Sequence, residues 1–394
     1  ETPDVITWSE LLRRQFDLDR AAGRTAARWL DTGHGLLVWE GIVRRDVELG
    51  SVLLPSGLGA VAQRSWELLH AYRIPVRVLV EDASPEVQSF GRWAVEFGGW
   101  LDQGDWLDPA QASLTVGPPA RDKPIEFVGF DRWTPAQAAF VERISSLGAR
   151  VTVRPAVPEN ETFKAHVVEC NDCDAELETA ARWAAQRLQE QPDERLALIV
   201  PELARQRARV RRVLDRVLVP GAAFTGGPAP ESTAYELAAA RPLLERPVVS
   251  AALDWLTASI SPPELAAASA LLRGAHDGAA GDEAYARAEL DVALRKASVP
   301  QAGLDYLARA ARDHGCPATA ARVQAAGARA RTWTGSRLPS LWASEFFELL
   351  RTVGWPGPDP GSAEHQAVQR LQALLGEFGA SDDVAGPLRA SAAF

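Results

Sequence analysis

Apolar positions along most of this chain recur at helical rather than strand spacing. After a short strand predicted at residues 5–7, Leu11, Leu12 and Phe16 share one face of a predicted helix over residues 8–16, with Thr7 or Ser9 as its cap. The pattern stays helical from residue 17 to about residue 111, most clearly over 60–72 and 85–98. The period changes at Ile125. Residues 125–130 form a short apolar run that ends in a polar turn, and Thr134-Pro135 then opens a helix with Ala138, Val141 and Ile144 on one side. Residues 149–153 supply a second strand, which with the first closes a partial α/β domain. A linker is predicted at 155–162, followed by a strand at 165–169, a long amphipathic helix at 175–190 and a buried-type strand at 196–200 that breaks at Pro201. Residues 221–231, GAAFTGGPAPE, read as a flexible loop, and everything after Tyr235 as helix or loop, with no internal repeat.

The helix predicted after Pro201 carries the strongest charge pattern. At about 100° per residue, Arg205, Arg209, Arg212 and Arg216 fall within roughly 60° of one another, while Leu203, Val210, Val213, Leu214 and Val217 gather opposite. Such a stripe could follow a DNA backbone, dock a partner protein or be a solvated face balanced by neighbouring Glu. The whole chain is acidic, with a net charge of -10 over 394 residues. That excludes a surface that grips nucleic acid all round, so any DNA contact must be local. Lysine occurs three times, so arginine carries nearly all of the positive charge. A hydrophobic content of 46% supports real cores and two to four domains.

Other chemistry is sparse. Cys170 and Cys173, with His166 before them, have ligand-like spacing, but structural zinc takes four ligands and the third cysteine, Cys316, stands alone, so no metal is assigned. His34 between Gly33 and Gly35 reads as a turn. Trp29, Trp39, Trp66 and Trp93 fall at helical apolar positions and read as core rather than as platforms for bases. No phosphate loop of the form GxxxxGK[ST] occurs, and no hydrolase or nuclease motif. No apolar run reaches the ~18 residues that span a bilayer, and Glu1-Thr2-Pro3-Asp4 is not an export signal, so a cytoplasmic protein without a membrane partner is expected.

The strand, turn and helix at 125–146 resemble the ATPase strand and following helix of superfamily 1 helicases. In those enzymes the strand ends in an Asp-Glu pair: the Asp holds the nucleotide's magnesium and the Glu positions the attacking water. Matching Phe130 and Thr134-Pro135-Ala136-Gln137 to that pattern puts the pair at Val128 and Gly129, neither of which binds metal or takes a proton. Asp131, the nearest carboxylate, lies past the strand and reads as an exposed turn acid. The strand at 196–200 would lead into an arginine that touches the nucleotide; Pro201 stands there instead.

Further markers are Ile6-Thr7-Trp8-Ser9-Glu10-Leu11-Leu12, the stretch from Trp66 to Pro75, Val200-Pro201-Glu202-Leu203, Arg241-Pro242-Leu243 and Gly354-Trp355-Pro356-Gly357. In this order they resemble the inactivated helicase region of AddB/RecC-type proteins, and more closely a bacterial DNA repair family that joins such a region to a RecB-type (PD-(D/E)XK) exonuclease domain. The resemblance implies an α/β plus all-α fold, with degenerate RecA-like (P-loop NTPase-type) helicase domains carrying large helical insertions. Residues 1–16 and 117–155 would form a partial RecA-like domain, 17–116 a helical insertion, 163–230 the start of a second RecA-like domain and 231–394 a helical domain. The phosphate-loop region would precede residue 1, and the nuclease, with its Mg2+, would follow residue 394; no cofactor is expected between.

The function implied is a scaffold that guides DNA, or holds a partner helicase-nuclease subunit, for that exonuclease. It has no catalytic residues of its own. Two alternatives stand beside it: ATP hydrolysis by the longer protein, and a protein-interaction module that does not touch DNA.

Overall fold

The computed structural model describes residues 4–46, 55–81, 84–118, 124–155, 165–220, 234–238, 242–278, 283–297, 300–358 and 360–394. The loop at 221–231 and most of the linker at 155–162 lie outside them. The protein is mostly helical with a few small strands. It divides into two compact units: residues 1–162 with 336–341 and 378–388, and residues 163–335 with 342–377 and 389–394.

In chain order the first unit begins with α1 (Trp8–Ala21), β1 (Arg28–Trp29), α2 (Thr32–Arg45), α3 (Pro55–Ala71), α4 (Val78–Glu81) and α5 (Pro85–Gln103). It continues with β2 (Trp106–Leu107), α6 (Pro109–Thr115), β3 (Ile125–Val128), α7 (Pro135–Ser146) and β4 (Val151–Arg154). Thr7 caps α1 by accepting from Glu10 N at 3.2 Å. The run at 5–7 is therefore the lead-in to a cap and not the short strand expected from its composition.

Two cores form in this unit. One gathers Trp39, Trp66, Trp93, Phe97 and Leu101 from α2, α3 and α5, which confirms three of the four tryptophans as packing residues; Trp29 is half-buried against Phe16. The other joins Leu12 and Phe16 of α1 to Phe127 of β3 and Phe140 and Ile144 of α7. Strands β3 and β4 pair in parallel, Ile125 with Val151 through Val128 with Arg154, and α7 connects them. This is the expected βαβ unit. Only its inner face is covered: Phe127 is buried, whereas Val128 and Val153 are each 50% exposed.

α7 starts sharply because Thr134 and Gln137 form a reciprocal capping box, with Thr134 N donating to Gln137 Oε1 at 3.0 Å and Gln137 N donating to Thr134 Oγ1 at 3.3 Å. The buried Asp19 ties α1 to the start of the Pro-rich turn, accepting from Gly117 N at 2.6 Å and pairing with Arg24 at 2.7 Å.

The second unit runs through α8 (Cys173–Glu190), α9 (Leu203–Leu218), α10 (Pro247–Ile260), α11 (Leu265–Arg273), α12 (Ala284–Lys296), α13 (Leu304–Asp313) and α14 (Pro317–Ala330). The chain then passes through β5 (Ser336–Arg337), α15 (Pro339–Thr352), α16 (Ser362–Gly379), α17 (Asp382–Ala385), β6 (Leu388–Arg389) and α18 (Ala390–Ala393). The short β5–β6 pair breaks the expectation of helix and loop alone after Tyr235. Trp342, Phe346, Leu349, Leu350 and Leu290 are almost wholly buried among these helices.

The two strands expected at 165–169 and 196–200 do not form. Both segments run without regular structure, and Val167 and Ile199 are 96% and 94% exposed. A strand exists only where neighbouring backbone takes up its N–H and C=O groups, and among the described residues no segment pairs with either one. The second unit therefore contributes helices α8 and α9 where a second α/β half was expected. RecA-like architecture in either unit goes beyond this observed arrangement.

Candidate nucleic-acid interface

Helix α9 has one apolar and one strongly basic side. Its inner side, Val210, Val213 and Leu214, is buried against Ala181 of α8 with Leu177, Leu203, Val217, Leu218 and Tyr235 around it. At roughly 25 cal/mol per Å2 of apolar surface, each such side chain contributes about 1.5–3 kcal/mol when buried, which holds the helix down and turns its arginines outward. Arg205, Arg212 and Arg216 are exposed and Arg209 is half-exposed, as the helical spacing predicts.

The acids beside this row were not legible in the pattern of α9 alone. Arg209 Nε donates to Asp174 Oδ1 at 2.6 Å, from the middle of α9 to the first turn of α8. That hydrogen bond, with the charges of Arg209, Arg212 and Arg216, holds the Asp174 carboxyl below its ordinary value. The same bond, and the charges of Asp174, Cys173 and Asp172, raise Arg209. Arg205 pairs with Glu202 at 3.1 Å. Arg212 and Arg216 make no direct hydrogen bond or ion pair among the described residues, and their charges act on Asp174 only at longer range. The signal that could have found Asp174 is the acidic stretch Asp172-Cys173-Asp174-Ala175-Glu176, an acidic first turn of the kind a helix N-terminus favours.

Behind the row, Tyr235 donates to Asp215 Oδ1 at 2.6 Å, and Asp215 also faces Arg211 at 3.5 Å. Burial, then the bond to Asp215, pushes the Tyr235 hydroxyl up to about 12. Glu202, directly before α9, has φ of 53°, a left-handed conformation that a residue with a Cβ adopts only under local constraint. Pro201 is exposed at this turn, and its carbonyl accepts from Gln206 Nε2 at 3.2 Å.

In the first unit, Val128 ends β3, and Gly129 turns with φ of 78° while its N–H donates to Arg154 O at 3.1 Å. Asp131 is exposed. Around the strand end, Phe127, Phe130, Trp133 and Trp8 form an aromatic cluster: Phe130 stacks on Trp133 with centroids 4.7 Å apart, and Trp8 meets Phe127 at 6.0 Å and Phe140 at 5.2 Å. The carboxyl end of β3 is thus flanked by apolar rings.

Cys170 and Cys173 are free, Cys173 is exposed, and the Cys170 Sγ lies 3.8 Å from Thr179 Oγ1. Among the described residues, no group of three His, Cys, Asp or Glu side chains could hold a metal ion, and no helix is long and apolar enough to cross a membrane. No family model matches the chain, and no curated protein matches it.

Proposed function

We propose that this protein is a non-motor, helicase-like scaffold that binds the sugar-phosphate backbone of DNA along α9, within a longer DNA repair exonuclease. The observation that carries the reading is the outward row of Arg205, Arg209, Arg212 and Arg216, with Arg212 and Arg216 exposed and, among the described residues, in no direct ion pair. Fixed guanidiniums on a rigid helix suit phosphates, which need cations at intervals and no base-specific contact. Val128, Gly129 and the rings around them support a role without ATP turnover, since they offer neither metal ligand nor general base. The degenerate RecA-like architecture, the nuclease beyond residue 394 and a partner motor subunit belong to the same proposal.

The test is binding of single- and double-stranded DNA across a range of salt, with the wild-type chain and a variant in which all four arginines are Ala. Loss of four phosphate contacts should reduce the slope of log affinity against log salt by about three to four. Identical slopes would remove α9 from the interface. The pairing of Arg209 with Asp174 favours a second reading, in which the row docks an acidic protein surface; a chain that binds no DNA at low salt would leave that one standing.

A further inference from the structure

We propose that the cleft between α10 and the carboxyl end of α11 is a binding site for an aliphatic ammonium group. This site is independent of the DNA reading. The cleft measures about 310 Å3 and is formed wholly by the second unit. One face of α10 lines it, with Pro247, Ser250, Ala251 and Asp254 at helical spacing, and Trp255 and Leu271 complete an apolar wall. This volume is at the lower end of the range for small-molecule sites, whose walls are mostly apolar with few polar groups.

The charge in the cleft has one sign. No hydrogen bond or ion pair to the Asp254 carboxylate is recorded among the described residues, and burial raises its pKa above the ordinary carboxylate value. The last carbonyls of α11 lie beyond the reach of an intrahelical donor, and Gly274 N bonds to Leu271 O rather than to Ala270 O. They add the negative end of a helix dipole. Of the lining acids, Asp277 is already answered by Arg287, which lies outside the lining, at 3.0 Å, and Arg287 Nη1 also meets Gly274 O at 3.3 Å. At the rim His276 lies 3.7 Å from Glu364. Among the described residues no Lys or Arg lines the cleft, so an anion would meet uncompensated negative charge, and a neutral apolar ligand would leave Asp254 unanswered.

An alkylammonium answers both features. Its three compact donors suit one carboxylate and a fan of carbonyls better than a planar guanidinium does, and its stem packs on Ala251, Trp255 and Leu271. The group can arrive as a free alkylamine or as a lysine side chain, and the two probes below distinguish these sources.

The experiment titrates the whole chain with n-pentylammonium, n-pentanol and Nα-acetyl-lysinamide, followed by calorimetry or by chemical shifts of the Trp255 indole. Pentylammonium should bind at least about ten-fold more tightly than pentanol, the difference a charge-assisted hydrogen bond makes. Asp254→Asn should abolish that difference, and Ala251→Leu, which fills the cleft without touching the charge, should weaken both ligands. Binding of acetyl-lysinamide as well identifies a lysine side chain as the natural ligand; its exclusion identifies a free amine. Pentanol binding as tightly as pentylammonium to the wild-type chain would overturn the proposal whether or not either variant folds. So would an Asp254→Asn chain of native fold that keeps its preference for the cation.

Discussion

Arg209 donates from Nε to Asp174 Oδ1 across 2.6 Å, so the centre of the arginine row on α9 is held by a carboxylate from the first turn of α8. An anion that approaches the row must compete with that carboxylate. The pair lies at the surface, where such bridges contribute about 0–1 kcal/mol to folding, so its greater effect is on what the row can bind.

Asp174→Asn should therefore strengthen DNA binding and steepen its salt dependence by about one in log-log slope, with little change in unfolding midpoint. Fluorescence anisotropy across salt, read beside urea denaturation, checks both. A weaker affinity in this variant would mean that Asp174 positions Arg209 rather than masking it.

Glu202→Gly should stabilise the second unit. A left-handed φ at a residue with a Cβ costs on the order of 1–2 kcal/mol, which glycine removes, and the exposed pair with Arg205 returns little of it. Chemical denaturation should show a higher midpoint with an unchanged slope.

Asp108 gives the first unit a pH dependence. It is 6% exposed, and burial pushes its carboxyl from 3.8 up to about 6, against hydrogen bonds from Ala110 N and Trp66 Nε1 that pull it down. A carboxyl raised on folding contributes stability that is fully present below its unfolded value and is lost as pH rises through its folded one. The loss between pH 3.8 and about 6 is on the order of 3 kcal/mol. His70, packed edge-on against Trp66, is lowered by burial and acts with the opposite sign as pH falls below 6.5. Asp108→Asn removes only the first effect. The stability of wild type minus variant, measured from pH 4 to pH 7, should fall across that window; a flat difference would refute the assignment.

Asp277→Ala should cost about 3–5 kcal/mol, because it strands the Arg287 guanidinium, 3% exposed, without its carboxylate. Thermal unfolding of the second unit reads this directly.

The helical skeleton was legible because amphipathic periodicity is local information: α1, α3, α5, α7, α8 and α9 all fall where the spacing of Leu, Val, Phe and Trp places them. So was the βαβ unit, since Phe127 alternates with exposed neighbours and Thr134-Pro135 is a strong start signal. The segments at 165–169 and 196–200 show the limit. Their β-branched residues suit a strand, but a strand is made by its neighbours, and composition does not say whether neighbours are present. For the candidate interface, the arginine row followed from helical angles within one element. Its counter-ion Asp174 came from another helix, and the cleft at Asp254 from the end of α11 meeting the face of α10. Neither relation has a spacing that a linear reading can detect.

The ring cluster at the end of β3 makes this part of the protein its own optical sensor. Phe130 and Trp133 lie nearly parallel, 17° apart, with Trp8 beside them at 6.1 Å from Phe130. Contacts of this kind are worth about 0.5–1.5 kcal/mol beyond burial. A solute that settled on the exposed carboxyl end of the strand would lie beside those rings, and the emission of two indoles would register its arrival.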